Sequence, residues 1–170
     1  TNNSKRTTAD EANPRTSNKH GHVLELTETA GDVASETFFW SLLLVCGDPN
    51  DPGTYYGGFD KSQVSPISCP DNVTFDRFGN LWISTDGNAL GAHDGLYGVA
   101  VEGKYRGQVR QFLSVPNGAE TCGPWVSKER VFVCVQHPGE TDDAEHRDDE
   151  GEGSEERARA SPPRLLAAGG

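Results

Sequence analysis

The sequence predicts an all-β chain: a β-propeller fragment of two to three four-stranded blades with a disordered acidic tail behind it. Three observations carry this. The 170 residues include 20 glycines and 10 prolines, punctuation that suits short strands and many turns rather than long helices. Apolar residues alternate with polar ones nearly throughout, and no segment makes an amphipathic helix of three turns. Two stretches also share one scheme, CPDNVTFDRFGNLWISTDG (69–87) and TCGPWVSKERVFVCVQHPG (121–139). Each has a short leading loop, a strand, a tight turn and a second strand carrying an aromatic. Those aromatics, Trp82 and Phe132, lie 50 residues apart, the period of a blade with about four strands.

The strands follow in order. Residues 22–26 (HVLEL) and 37–45 (TFFWSLLLV) form a first pair, with Gly31-Asp32 as a turn between them. Residues 72–76 (NVTFD) and 81–85 (LWIST) form a second, joined by Arg77-Phe78-Gly79-Asn80, a tight hairpin in which Gly79 is free to take positive φ. Residues 96–101 and 108–113 come next, linked by Glu102-Gly103-Lys104. Residues 124–126 and 131–135 make the last hairpin. One such repeat leaves both sheet faces wet, so the blades expected to close the ring lie outside this sequence. The absence of methionine fits a piece of a larger protein.

The net charge of −11 is concentrated near the end. Residues 141–156 are mostly Asp, Glu, Gly, Arg and Ser without an aromatic, and such a run cannot bury enough apolar surface to offset its ordering entropy. The expected division is a partial propeller over 1–140 and a disordered charged tail over 141–170. The acidic balance of the rest disfavours nucleic acid as a partner and suits a site that collects hard cations. No stretch reaches the length of a transmembrane helix. Cys46, Cys69, Cys122 and Cys134 are far apart, without the paired spacing of a zinc site. They read as buried thiols packing like small apolar residues, although an exported chain could form two disulfides.

Chemistry concentrates in three loops. In a propeller the innermost strand of each blade runs beside the central channel, and polar groups at its start converge on the axis. Asp71 and Asn72, immediately before VTFD, fall there, and Asp86 at the end of the next strand could join them. Their oxygens suit calcium and other hard cations, while an Asx-turn that starts the strand is the competing reading. Glu120 stands alone in the equivalent loop Gly118-Ala119-Glu120-Thr121-Cys122-Gly123-Pro124, as a ligand or as an ordinary loop glutamate. Residues 10–22 are dense in oxygen and nitrogen donors and enter the first strand directly. There His20 and His22 would share a face of a strand and could hold a metal, or could simply bond backbone and water. His137 invites the same two readings. No Ser-His-Asp arrangement, Walker loop or dinucleotide fingerprint is present.

Taken together, TNNSKR (1–6), DEANPRTSNKHGHVLEL (10–26), PDNVTFDRFGNLWISTDG (70–87), GLYGVAVEG (95–103), RGQVRQFLSVPNGAETCGP (106–124) and VFVCVQHPGE (131–140) resemble the PhoX-type family of bacterial alkaline phosphatases. The segments stand in the family's order over nearly all of 1–140. The resemblance implies a six-bladed propeller whose channel holds Ca2+ and Fe3+ ions and cleaves phosphate monoesters, in a periplasmic or secreted protein that is monomeric at full length. It implies metal-ligand or supporting roles for Glu11, Asn13, Asp71, Asn72 and Glu120, and for Arg15 a catalytic role in orienting phosphate. The earlier blades and the last strand of the family pattern are absent, so this fragment by itself is expected to be inactive. Two alternatives share the scaffold, a calcium-dependent lactonase or esterase and a non-catalytic calcium-binding propeller. The DEANPR and GAETCGP loops favour the phosphatase over the lactonase.

Overall fold

The computed structural model describes residues 5–87 and 89–138, and the expected tail lies outside them. The described chain is all-β, in three antiparallel sheets. β1 (His22–Glu28), β2 (Phe38–Val45) and β3 (Tyr55–Tyr56) form the first. β4 (Pro70–Phe75), β5 (Leu81–Thr85), β6 (Gly95–Val99) and β7 (Val109–Ser114) form the second, a four-stranded meander in sequence order. β8 (Glu120–Val126) and β9 (Val131–Gln136) form the third. Among the described residues the three sheets hold three, four and two strands, the arrangement of a β-propeller fragment.

The hairpin joining β4 to β5 shows how local chemistry sets register. Asp76 Oδ1 accepts the amides of Phe78 and Asn80 at 2.8 and 3.0 Å, and Oδ2 accepts the side-chain N–H groups of Asn80 and Trp82 at 2.9 and 3.1 Å. The chain can turn this tightly because Gly79 takes φ +83°. Strand register then runs from Phe75–Leu81 to Pro70–Thr85, with an irregularity between Pro70 and Val73.

The core forms where the first two sheets meet. Leu43, Leu44, Cys46 and Tyr56 pack with Leu81, Ile83, Tyr97, Val99 and Val109, and Ile67 from the connecting segment completes the cluster. Burying each large aliphatic side chain there contributes about 1.5–3 kcal/mol. The sheets approach most closely at Gly57 and Gly107, where a Cβ on Gly57 would lie 2.7 Å from Gly107 Cα and one on Gly107 would collide with the Tyr56 carbonyl.

One sequence expectation needs correction, that the four cysteines are buried, and one strand lies where none was expected. The segment 47–54 is folded into successive Asx turns, with Asp48 Oδ1 accepting the Asn50 amide at 2.9 Å and Asp51 Oδ1 the Gly53 amide at 2.7 Å. It delivers the two-residue strand β3, which had no periodic signal to announce it. The cysteines also divide. Cys46 and Cys69 are buried as expected, whereas Cys122 is half-buried and Cys134 exposed. Phe39 on β2 and Trp125 on β8 stay 69% and 54% exposed.

Candidate metal and phosphate site

Carboxylates gather where β5 ends and β8 begins. Asp86 follows β5, and its amide donates to Cys69 O at 3.1 Å. Glu120 is the first residue of β8 and pairs across the hairpin with Gln136, which puts His137 close by. The expected leading loop is thus already strand at Glu120, and pairing with β9 holds its backbone. The Glu120 carboxyl faces the charge of Asp86. Burial, and next the charge of Asp86, push the Glu120 carboxyl above its ordinary value, while His137 pulls it back. A cation bound beside Glu120 would favour its ionised form.

Asp94, a residue the sequence reading did not single out, stands behind them. It is 8% exposed, and its carboxylate accepts the Thr85 hydroxyl at 2.6 Å and the Gly87 amide at 3.0 Å. Thr85 Oγ1 in turn accepts the Gly95 amide at 3.0 Å. Asp94 lines a cleft of about 260 Å³ with Asp48, Ser68, Thr85 and His93. No local motif marks it, since its partner Thr85 comes from the neighbouring strand.

The residues expected from the sequence fall into two groups. Asn72, Asp71 and Glu120 lie at one end of neighbouring strands. Asn72 Oδ1 accepts the Gly123 amide at 3.0 Å, tying β4 to β8, and its carbonyl accepts the Ser84 hydroxyl at 3.3 Å. Asp71 is exposed beside it. Glu11, Asn13 and Arg15 belong to the N-terminal loop docked on the first sheet. Asp10 organises that loop: its Oδ1 accepts the Asn13 amide and side-chain N–H at 2.7 and 2.9 Å, and its other oxygen pairs with Arg6. Glu11 projects from this turn, exposed. Arg15 Nη1 donates to Cys46 O at 2.6 Å, and Nη2 faces Asp51 at 3.7 Å. Nη2 is buried without a hydrogen-bond partner.

The histidines do not share a strand face, as the sequence suggested they could. β1 begins at His22, so His20 is outside it. His22 is buried against Asn18, Nδ1 to Nδ2 3.0 Å, and burial depresses the pKa of both rings.

Among the described residues no group of three or more His, Cys, Asp or Glu side chains is arranged to hold a metal ion. The donor chemistry nevertheless fits part of a hard-cation shell, because the Asp86 and Glu120 carboxyl groups lie near one another at a strand end.

This architecture, antiparallel sheets with carboxylates at the strand ends, is that of a β-propeller fragment. The family model described as alkaline phosphatase PhoX matches residues 1–139, and the chain belongs to that family. A solved structure of Pseudomonas fluorescens PhoX in complex with vanadate, a transition-state analogue, is similar to it, with 33% identity and a TM-score of 0.66. That match covers 81% of this chain and 26% of the Pseudomonas chain, so the chain spans about a quarter of this relative's length. No curated protein matches it.

Proposed function

We propose that this chain forms part of a metal-dependent phosphomonoesterase, an alkaline phosphatase of the PhoX type that acts in the periplasm or outside the cell. The observation that carries this reading is the Asp86–Glu120 carboxylate pair, placed at a blade end in a chain whose family model spans residues 1–139. Glu120 and Asp86, with Asn72 and Asp71 beside them, would supply oxygen donors to Ca2+ or Fe3+, and Glu11 and Asn13 would do so from the N-terminal loop. When bound, such cations neutralise a phosphate dianion and lower the pKa of a bound oxygen nucleophile. Arg15 would serve as the anion-facing cation once Nη2 turns from Asp51, 3.7 Å away, with Nη1 anchoring the loop to Cys46 O. A guanidinium held this way presents N–H groups to phosphate without a large loss of rotamer entropy.

No isolated fragment with open sheet edges completes such a site, so this chain alone is inactive in the proposal, and the full-length protein acts as a monomer. The test is hydrolysis of an aryl phosphate by the full-length protein, with calcium and iron both supplied and metal content measured on the same sample. Turnover with both metals bound supports the phosphatase. Absence of turnover with both metals supplied overturns it.

A further inference from the structure

Cys122 and Cys134 are register partners on the antiparallel pair β8–β9. Residues directly opposed in such a pair have Cα atoms about 4.5–5.5 Å apart and side chains on the same face, which lies inside the Cα window of a disulfide, about 4.4–6.8 Å. The Cys134 sulfur lies near Gly123, the residue after Cys122, 4.0 Å from where a Cβ there would stand. Cys122 is half-buried and Cys134 exposed, so a reagent can reach them. The other two thiols are placed differently. Cys46 is fully buried, and burial pushes its thiol up to about 12. Cys69 is buried and donates to Lys19 O at 3.4 Å. Among the described residues the β8–β9 sheet has two strands, and β9 has β8 as its strand partner.

We propose that Cys122 and Cys134 are a redox-active pair that closes into a cross-strand disulfide in an oxidising medium, locking β9 onto β8 two residues from Glu120. The oxidant is a small-molecule disulfide such as oxidised glutathione. The Cys134 thiolate attacks one sulfur of that disulfide, forming a mixed disulfide and releasing one glutathione thiolate. The Cys122 thiolate then attacks the Cys134 sulfur and expels the second. The protein dithiol loses two electrons and two protons, and oxidised glutathione becomes two glutathione thiols. Exposure and cross-strand placement keep the bond reversible, as exposed disulfides are the labile ones.

The test uses the whole chain at a series of oxidised-to-reduced glutathione ratios, with thiols trapped by alkylation and the chain digested with trypsin. Cleavage after Lys128 and Arg130 separates the two cysteines, so the disulfide appears as two peptides joined under non-reducing conditions. The expected result is that Cys122–Cys134 is the first crosslink to form, with Cys46 and Cys69 still alkylated as thiols. Stable glutathione adducts on both cysteines without a crosslink, or a Cys46–Cys69 bridge forming first, would overturn the proposal. Cys134→Ser should leave Cys122 as a mixed disulfide, and an intramolecular bridge persisting in that variant counts against it. Amide exchange over Val131–Gln136 in the wild-type chain, which needs no variant, should slow at least about tenfold on oxidation. Unchanged exchange in a crosslinked sample rules out the lock.

Discussion

The guanidinium of Arg106 closes on the carboxylate of Glu25 with both terminal nitrogens, Nη2 to Oε2 at 2.6 Å and Nη1 to Oε1 at 3.3 Å, across 81 residues of chain. Nη1 also donates to Val101 O at 2.6 Å, and Ser41 donates to the same carboxylate at 3.2 Å. β1 and the loop before β7 are thereby joined at the rim of the core, next to the Gly57–Gly107 approach.

The Arg106 hydrogen bonds hold the Glu25 carboxyl below its ordinary range, against a smaller opposing effect of burial. For a carboxyl with a depressed folded pKa, the stabilisation is present above the unfolded value and lost as pH falls through the folded one. Both groups are about a third exposed, so screening keeps the pair at roughly 0.5–1 kcal/mol. Urea midpoints at pH 7 and pH 3 should therefore differ less in Glu25→Gln than in the wild type. Equal pH dependence in both would show that the fork contributes nothing.

Gly107 takes φ +84°, and a Cβ there would strike the Tyr56 carbonyl, whereas Gly79 takes φ +83° with open space around it. The two alanine variants separate backbone strain from collision. Gly79→Ala should cost about 1 kcal/mol, and Gly107→Ala several times that, read from thermal unfolding. Similar losses would mean that the two sheets can move apart freely.

Leu44 is fully buried in the cluster between the first two sheets. Leu44→Ala removes three heavy atoms from the contact that makes those sheets one unit, at a cost of about 2–5 kcal/mol. Truncating exposed Phe39 should change stability by less than about 0.5 kcal/mol. A large Phe39 effect with a small Leu44 effect would place the core elsewhere.

Burial and Asp86 raise the Glu120 carboxyl, so here the sign reverses. Ionised Glu120 is a cost to the fold, absent below its unfolded pKa and fully present above the raised one. Stability without metal should fall as pH rises through that window, and Glu120→Gln should remove the fall. Calcium at ten times its Kd should then stabilise the wild type by about 1.4 kcal/mol, and Asp86→Asn or Glu120→Gln should abolish the gain. Calcium stabilisation that survives both substitutions would exclude this carboxylate pair as the ligand.

Part of this was legible in the residues themselves. The Asp76–Asn80 hairpin is local, because its four bonds to the Asp76 carboxylate come from residues within six positions. The strand positions followed from alternation, and the 50-residue spacing of Trp82 and Phe132 reflects repeated blade units. Family membership followed from a set of segments spread along residues 1–140. Strand β3 was not legible, since two residues carry no period. Nor was the start of β8 at Glu120, which is strand only because β9 pairs with it.

The sequence by itself determined the all-β class, the turn chemistry, the order of strands and the family, because each rests on contacts between near neighbours or on residues compared one at a time. Only the tertiary structure decided that Asp86 meets Glu120, that Arg106 meets Glu25, that Cys134 stands open opposite Cys122, and that Asp94 lies buried under Thr85. Those pairings join residues from different strands, and sheet register and the angle between sheets set them. Neither quantity is written in any short stretch of chain.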